Sequence, residues 1–244
     1  MNILTSKFSK KSAISLGDAL NCSVYNPYSR EFYRGDSLIG DIHYNMGCSF
    51  PPFRSLINKP EYVEFCVNKI KTLNMLQQNG ALTVPWTASK EQAQQWLDED
   101  RIIVNRATIT GKANEGLSFS YKGIEDVADV PLDEGSVIWT RYVNHTRELR
   151  VYVFKGKPSI VFEKVNIDGG WYFKPIKASD KLAEQMRLAK DAFSGLVFSA
   201  YDVLECVTGD FYTLENNSAP SLLVSEKIIP RLKEVIENEL GRDL

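Results

Sequence analysis

Apolar positions along this 244-residue chain fall into short segments whose period changes repeatedly. Ala13, Leu16 and Leu20 of "SKKSAISLGDAL" recur at helical spacing, and "LIGDIHYNMGCSFPPF" reads as a short strand running into a Gly, Ser and Pro loop. From Pro60 to Asn79 the residues Tyr62, Val63, Val67, Ile70, Leu73 and Leu76 predict a helical region, stopped by Gly80. Ser89 followed by Gln92 is a capping-box start for a helix to about Asp100. "RIIVNRATI" is then a β-branched strand, and "TGKANEG" a glycine-bearing loop. "SVIWTRYV" and "ELRVYVFKGKPSIVFEKV" predict strands, the second a hairpin turning at Lys155, Gly156 and Lys157. Residues 181–194 form an amphipathic helix through Leu182, Met186, Ala189 and Phe193. Two more strands follow, "LVFSAYDVLECV" and "DFYTLENN", and a last helix starts near Pro230.

Alternation of strands and helices makes this an α/β chain, with residues 1–58 a small N-terminal α/β lobe. Hydrophobic residues are 43% of it, enough to bury a core. With 29 basic and 31 acidic residues the net charge is −2, which offers no general field to nucleic acid or to an anionic membrane. Cys22, Cys48, Cys66 and Cys206 are scattered, without C-x-x-C and away from His43 and His145, so zinc and redox motifs are absent. No segment approaches the roughly 20 apolar residues that span a bilayer, and the start lacks a signal-peptide pattern. A soluble, cytoplasmic protein is expected.

Chemistry concentrates where the last two strands end, in "TLENNSAPSL". A hairpin centred on Thr208 and Gly209 puts Asp202 directly opposite Glu215, whereas a one-residue bulge would send the two acids to opposite faces. Facing acids repel unless a cation lies between them. Asn217 shares the face of Glu215, so three oxygen donors converge, a set that suits Mg²⁺ completed by water and phosphate oxygens. The plainer alternative is a solvated hairpin ending in an Asx turn.

"YDVLECVTGDFYTLENNSAP" resembles the metal-binding end of the ATP-grasp ligases, in which a strand-ending Asp precedes E-x-N-x-x-P: here Asp202, then Glu215, Asn217 and Pro220. The resemblance covers about residues 40–225. It is closest to the short, phage-type ligases that join amino acids to protein or peptide carboxylates, related to the ribosomal-protein glutamate ligases. It implies an ATP-grasp fold with one lobe at 59–130 and a second at 131–244. It also implies ATP and Mg²⁺ (or Mn²⁺) as cofactors, and as partners a carboxylate substrate and an amine acceptor that is an amino acid, a peptide or a protein terminus. If phage-encoded, the protein would work in the host cytoplasm.

The same resemblance assigns roles by position. Lys69, after Asn68 in "NKIKTLNMLQQNG", and Arg106, ending the strand before the flap, would hold phosphates; Arg can do so with two parallel donors. Gly111 and Gly116 bound the flap, with Asn114 where short relatives often carry Gly. In "RYVNHTRELRV" the backbone of Arg141 and Tyr142 would contact adenine, Glu148 the ribose, and Arg150 the transferring phosphoryl group. Taken singly, Lys69 also reads as a solvated helix lysine and Glu148 as half of a surface ion pair. A P-loop is excluded, because Arg106 and Ala113 stand where Gly and Ser or Thr are needed. One departure is "FEKVNIDGGWYFKP", which offers only Lys164, Asn166 and Lys174 where such ligases often have a run rich in Arg and Asn. A non-catalytic nucleotide-binding or protein-interaction module on the same fold is therefore the main alternative, and an ATP-grasp kinase another.

Overall fold

The computed structural model describes residues 1–49, 51, 53, 56–100, 102–110, 116–155, 157–168 and 170–241. Three sheets are formed. The first contains β1 (Asn2–Thr5), β2 (Ser23–Asn26), β3 (Glu31–Arg34), β4 (His43–Met46) and β5 (Leu56–Ile57), with α1 (Lys10–Leu20) crossing from β1 to β2. Its order is β3-β2-β1-β4-β5, parallel except where β3 turns back against β2.

The helical region expected from Pro60 consists of two helices, α2 (Pro60–Val67) and α3 (Lys69–Gln78). Asn68 separates them. Its backbone is extended (φ −102°, ψ 109°), and its side chain accepts a hydrogen bond from the Lys71 N–H, so it caps the second helix. The break places Lys69 on the first turn of α3, where its N–H is donated to the Ile109 carbonyl.

The second sheet follows: β6 (Trp86–Thr87), α4 (Lys90–Asp100), β7 (Ile102–Arg106), β8 (Leu117–Tyr121) and β9 (Ile138–Arg141), antiparallel in the order β6-β9-β7-β8. Ser89 Oγ accepts from the Gln92 N–H, as the capping pattern predicts. This sheet runs to Arg141.

The third sheet holds β10 (His145–Phe154), β11 (Lys157–Ile167), β12 (Gly170–Ile176), β13 (Phe198–Cys206) and β14 (Phe211–Asn217), all antiparallel in the order β12-β11-β10-β13-β14. Its alternation divides two cores. Leu149, Val151, Val153, Val161, Tyr201 and Val203 pack against α5 (Asp180–Ala192) and against α2 and α3. On the opposite face Tyr152, Phe154, Phe162, Phe198 and Ala200 meet the first sheet, α1 and α6 (Ile228–Leu240). Buried Gln185 of α5 ties the loop after α3 to β14, donating to the Leu82 carbonyl at 2.7 Å and to Thr213 Oγ1 at 3.0 Å. The strand β12, inside the segment that reads as a short run in the sequence, was not anticipated. Among the described residues no helix is long and apolar enough to cross a membrane.

Candidate active site

The aromatic face of the third sheet changes character along its strands. One step beyond Tyr152 on β10 comes Arg150, then Glu148; beyond Phe162 on β11 comes Lys164; beyond Ala200 on β13 comes Asp202. Each shares a face with the residue that precedes it in that series, two positions away. The polar site is thus a continuation of a packed core face, which fixes its side chains in position.

Asp202 does face Glu215. The hairpin reaches that register by a different route from the one expected. Its loop is Val207, Thr208 and Gly209, with Gly209 at φ +76°; the Cys206 N–H is donated to the Asp210 carbonyl and the Gly209 N–H to the Cys206 carbonyl, so pairing begins one step out of the assumed phase. Glu205 pairs with Phe211, Leu204 with Tyr212 and Val203 with Thr213; Leu214 is then an extra residue, and Asp202 pairs with Glu215. The bulge at Leu214 brings the acids together, where an uninterrupted ladder would have set Leu214 against Asp202.

A row of charges crosses the sheet at this level. Arg150 Nε and Nη2 each lie 2.7 Å from an Asp202 oxygen, a bidentate clamp; Asp202 faces Glu215; and Lys69, from α3, pairs with Glu215. The order is cation, carboxylate, carboxylate, cation. Asn217 donates to Glu215 Oε1 at 3.1 Å, and one rung away Lys164 pairs with Glu148 and lies 3.5 Å from Asp202 Oδ2. Arg106 acts on Glu215 through its field. Burial would raise the Glu215 carboxyl, but Lys69, Asn217 and Arg106 outweigh it and hold it at about 2. Burial likewise opposes charge on Arg150, and Asp202 outweighs it, so that guanidinium sits above its ordinary range. Arg106, with less compensation, is lowered by burial.

Among the described residues no three His, Cys, Asp or Glu side chains cluster as a metal cage. Two carboxylates and one amide oxygen are instead the sparse, all-oxygen set that fits Mg²⁺ shared with phosphates. Their buried negative charge is balanced here by side-chain cations that could transfer to phosphate.

The flap strands β7 and β8 are closed at their base by the Ala107 N–H donating to the Gly116 carbonyl at 2.8 Å, with Gly116 at φ +68°. Gly111 lies outside the described residues. At the hinge the Arg141 N–H is donated to the Pro85 carbonyl and the Tyr142 N–H to the Ile102 carbonyl. An adenine contact through this pair would therefore use carbonyls, a narrower role than the sequence suggested. The residue undervalued by sequence reasoning is Lys164, and the signal for it is period 2: it lies two residues beyond Phe162 and directly opposite Glu148.

No known family profile matches the chain, and no curated protein does. Solved structures do. D-alanyl-alanine synthetase A from Vibrio cholerae superposes with a TM-score of 0.71 at 14% identity, over 96% of this chain and 95% of that one. D-cycloserine synthetase DcsG gives 0.68 at 17%, over 98% and 99%. The chain has the ATP-grasp fold. The ATP-grasp ligase PsnB, complexed with a phosphomimetic variant of minimal precursor, Mg and ADP, gives 0.69 at 13% identity, over 98% of this chain and 97% of that one. Against PsnB complexed with minimal precursor the match spans 76% of this chain and 64% of that chain, less than two thirds of its length.

Proposed function

We propose that the protein is an ATP- and Mg²⁺-dependent carboxylate-amine ligase, of the kind that joins amino acids to protein or peptide carboxylates. The observation that carries this reading is the row Arg150, Asp202, Glu215, Lys69, in which two carboxylates are held face to face between cations. Solved structures with the same fold include ligases complexed with Mg, ADP and a peptide precursor, which supports the reading.

Mg²⁺ held by Asp202, Glu215 and Asn217 would neutralise the β- and γ-phosphates. Lys69 and Arg106 hold phosphate oxygens, Glu148 orients the ribose, the Arg141 and Tyr142 carbonyls face the adenine edge, and the segment bounded by Gly111 and Gly116 covers the triphosphate and excludes water. Arg150 stabilises charge on the transferring phosphoryl group. A substrate carboxylate oxygen attacks the γ-phosphorus, the bond to the bridging oxygen breaks, and ADP leaves with that electron pair. In the resulting acylphosphate an amine nitrogen attacks the carbonyl carbon, phosphate departs with the C–O bond pair, and the amine gives up a proton to form the amide. Catalysis is by positioning and charge neutralisation.

Incubation with ATP, Mg²⁺ and hydroxylamine in a cell extract tests the reaction class. A hydroxamate with ADP supports the ligase; AMP indicates adenylation, and a stable phosphorylated product with no amide indicates a kinase. The second reading, a non-catalytic nucleotide-binding module, is favoured by one observation: both carboxylates are already satisfied by ion pairs. Nucleotide binding with no ADP release from any carboxylate and amine mixture would establish it.

A further inference from the structure

The second sheet is joined to the rest of the chain by two connections, residues 79–85 leading into β6 and residues 142–144 leaving β9. The first of these runs along the open side of β14, the edge strand of the third sheet. Thr83 bridges Thr213 in parallel, and the Thr213 N–H is donated to the Leu82 carbonyl at 2.8 Å. Gln185, on α5 and 6% exposed, commits its whole amide to this contact. Its Oε1 accepts from the Leu82 N–H at 3.1 Å, and its two Nε2 hydrogens go to the Leu82 carbonyl at 2.7 Å and to Thr213 Oγ1 at 3.0 Å. Thr213 is wholly buried, and the next two residues are the bulged Leu214 and then Glu215. On the far side Gln77 donates to Thr83 Oγ1 at 2.9 Å and accepts from the Trp86 indole at 3.3 Å, while the Pro85 carbonyl takes the hinge N–H of Arg141.

We infer that Gln185 is a positioning residue for Glu215: it fixes the strand leading to the metal site and, through the Leu82 backbone, the connection that carries the second sheet with Arg106. The inference rests on the ligase reading, in which Glu215 holds Mg²⁺ and Arg106 holds phosphate. Gln185 reaches neither, because Thr213 pairs with Val203 on the face packed against α5, opposite to the acids. Its action is geometric. An edge strand has ladder bonds on one side only, and a bulge interrupts those, so β14 is least restrained by its own sheet at Leu214, next to a metal ligand. The amide supplies restraint at that point. Without it the Leu82 N–H and Thr213 Oγ1 lose this partner, and the backbone bond from Thr213 to Leu82 is left to hold strand and connection together. A loaded site needs both segments at one spacing, since the carboxylate on β14 and the guanidinium on the second sheet must meet the same metal–phosphate group. Composition agrees: the other buried residues of α5, Leu182, Met186, Ala189 and Ala192, are all apolar, and a buried amide among them is costly unless its bonds are made.

The test reads the Mg²⁺ concentration at which binding of a non-hydrolysable ATP analogue is half-maximally tightened, by calorimetry. Gln185→Met keeps the side-chain length and removes the three bonds; it should raise that concentration about tenfold, the scale for losing a group that orients a metal ligand. Thr213→Val should raise it by a smaller factor that vanishes when added to Gln185→Met, and Thr213→Ser, which keeps the hydroxyl, should match wild type. Val161→Ala opens the same core two strands away from β14 and should leave the Mg²⁺ midpoint unchanged whatever it does to the melting temperature. An unmoved midpoint in Gln185→Met, an additive double variant, or a Val161→Ala protein shifted as far as Gln185→Met would each overturn the inference. If Gln185→Met does not fold, the Thr213 pair decides: no shift in Thr213→Val, or an equal shift in Thr213→Ser, overturns it. Failure of wild type to bind the analogue with Mg²⁺ would instead overturn the ligase reading beneath it.

Discussion

Glu215 carries the most information of any residue in the site, because it belongs at once to the facing acid pair, to Lys69 and to the field of Arg106. Its folded carboxyl sits at about 2, below the ordinary glutamate value, so between those values the unfolded chain binds more protons than the folded one. Its contribution to stability is complete at neutral pH and is lost as pH falls toward 2. Chemical denaturation from pH 6 to 3 should show wild-type stability falling, with Glu215→Gln removing about 1–3 kcal/mol of that fall. The same variant, with Asp202→Asn and Asn217→Ala, should weaken Mg²⁺-dependent binding of an ATP analogue in calorimetry while leaving the circular dichroism spectrum unchanged. Unaltered metal dependence in all three would remove them from the metal site. Arg150 and Lys164 are distinguished by what they do in turnover. Arg150→Ala should keep most nucleotide affinity and lose turnover by about 10²–10³-fold, the scale for removing one donor to developing charge. Lys164→Met leaves the half-buried Glu148 without its cation and should raise the KM for ATP more than it lowers kcat. Steady-state kinetics with a working substrate pair separates the two, and normal turnover by the Arg150 variant would take that residue out of the mechanism.

At the scale of elements, two irregularities place the site. Asn68 divides the helical region that apolar spacing predicts from Pro60 to Asn79, and Leu214 interrupts what alternation alone predicts as a simple ladder. Both were hard to read for the same reason: periodicity reports which face a residue occupies within a regular element and is silent about where the element gives way. The Asn in "NKIK" is a capping residue type, so the break had a local signal. The bulge had none, since Leu214 looks like any other strand residue. That Asp202 faces Glu215, with Asn217 beside it, was legible because charged residues at strand ends are few and their spacing is informative. Lys164 was hidden by a segment that seemed too poor in cations, and β12 by the exposed aromatics Trp171 and Tyr172, which do not alternate as a half-buried strand does. Deleting Leu214 should give a regular ladder in which Glu215 directly follows Thr213 and still stands opposite Asp202, so metal-dependent nucleotide binding should survive the loss of the bulge. Asn68→Ala should cost about 1 kcal/mol of stability through the lost cap, with a moderate fall in nucleotide affinity as Lys69 loses its fixed start. Thermal unfolding and the same calorimetry measure both.

Across the whole molecule, the third sheet brings Glu148, Arg150, Lys164, Asp202 and Glu215 to one face, the helix pair contributes Lys69 and the second sheet Arg106. Four cations against three carboxylates leave one net positive charge in a largely buried cluster. A triphosphate entering alone would draw Lys69 and Arg150 toward itself and leave Asp202 and Glu215 repelling each other. Mg²⁺ entering alone would displace the same cations and leave them without partners. Only the two together let every group exchange one counter-ion for another, so metal and nucleotide are expected to bind with positive coupling, about 1–3 kcal/mol or 5–150-fold on the scale usual for linked sites. Titrating an ATP analogue over a series of Mg²⁺ concentrations, corrected for the metal complex formed in free solution, measures that coupling directly. It should be reciprocal, the analogue tightening Mg²⁺ by the same factor. In Asp202→Asn/Glu215→Gln, where no carboxylate pair needs compensation, nucleotide affinity without metal should rise relative to wild type while the coupling falls to near zero. A double variant that kept the full coupling would show that the ion-pair row is a structural brace and that the metal is held elsewhere.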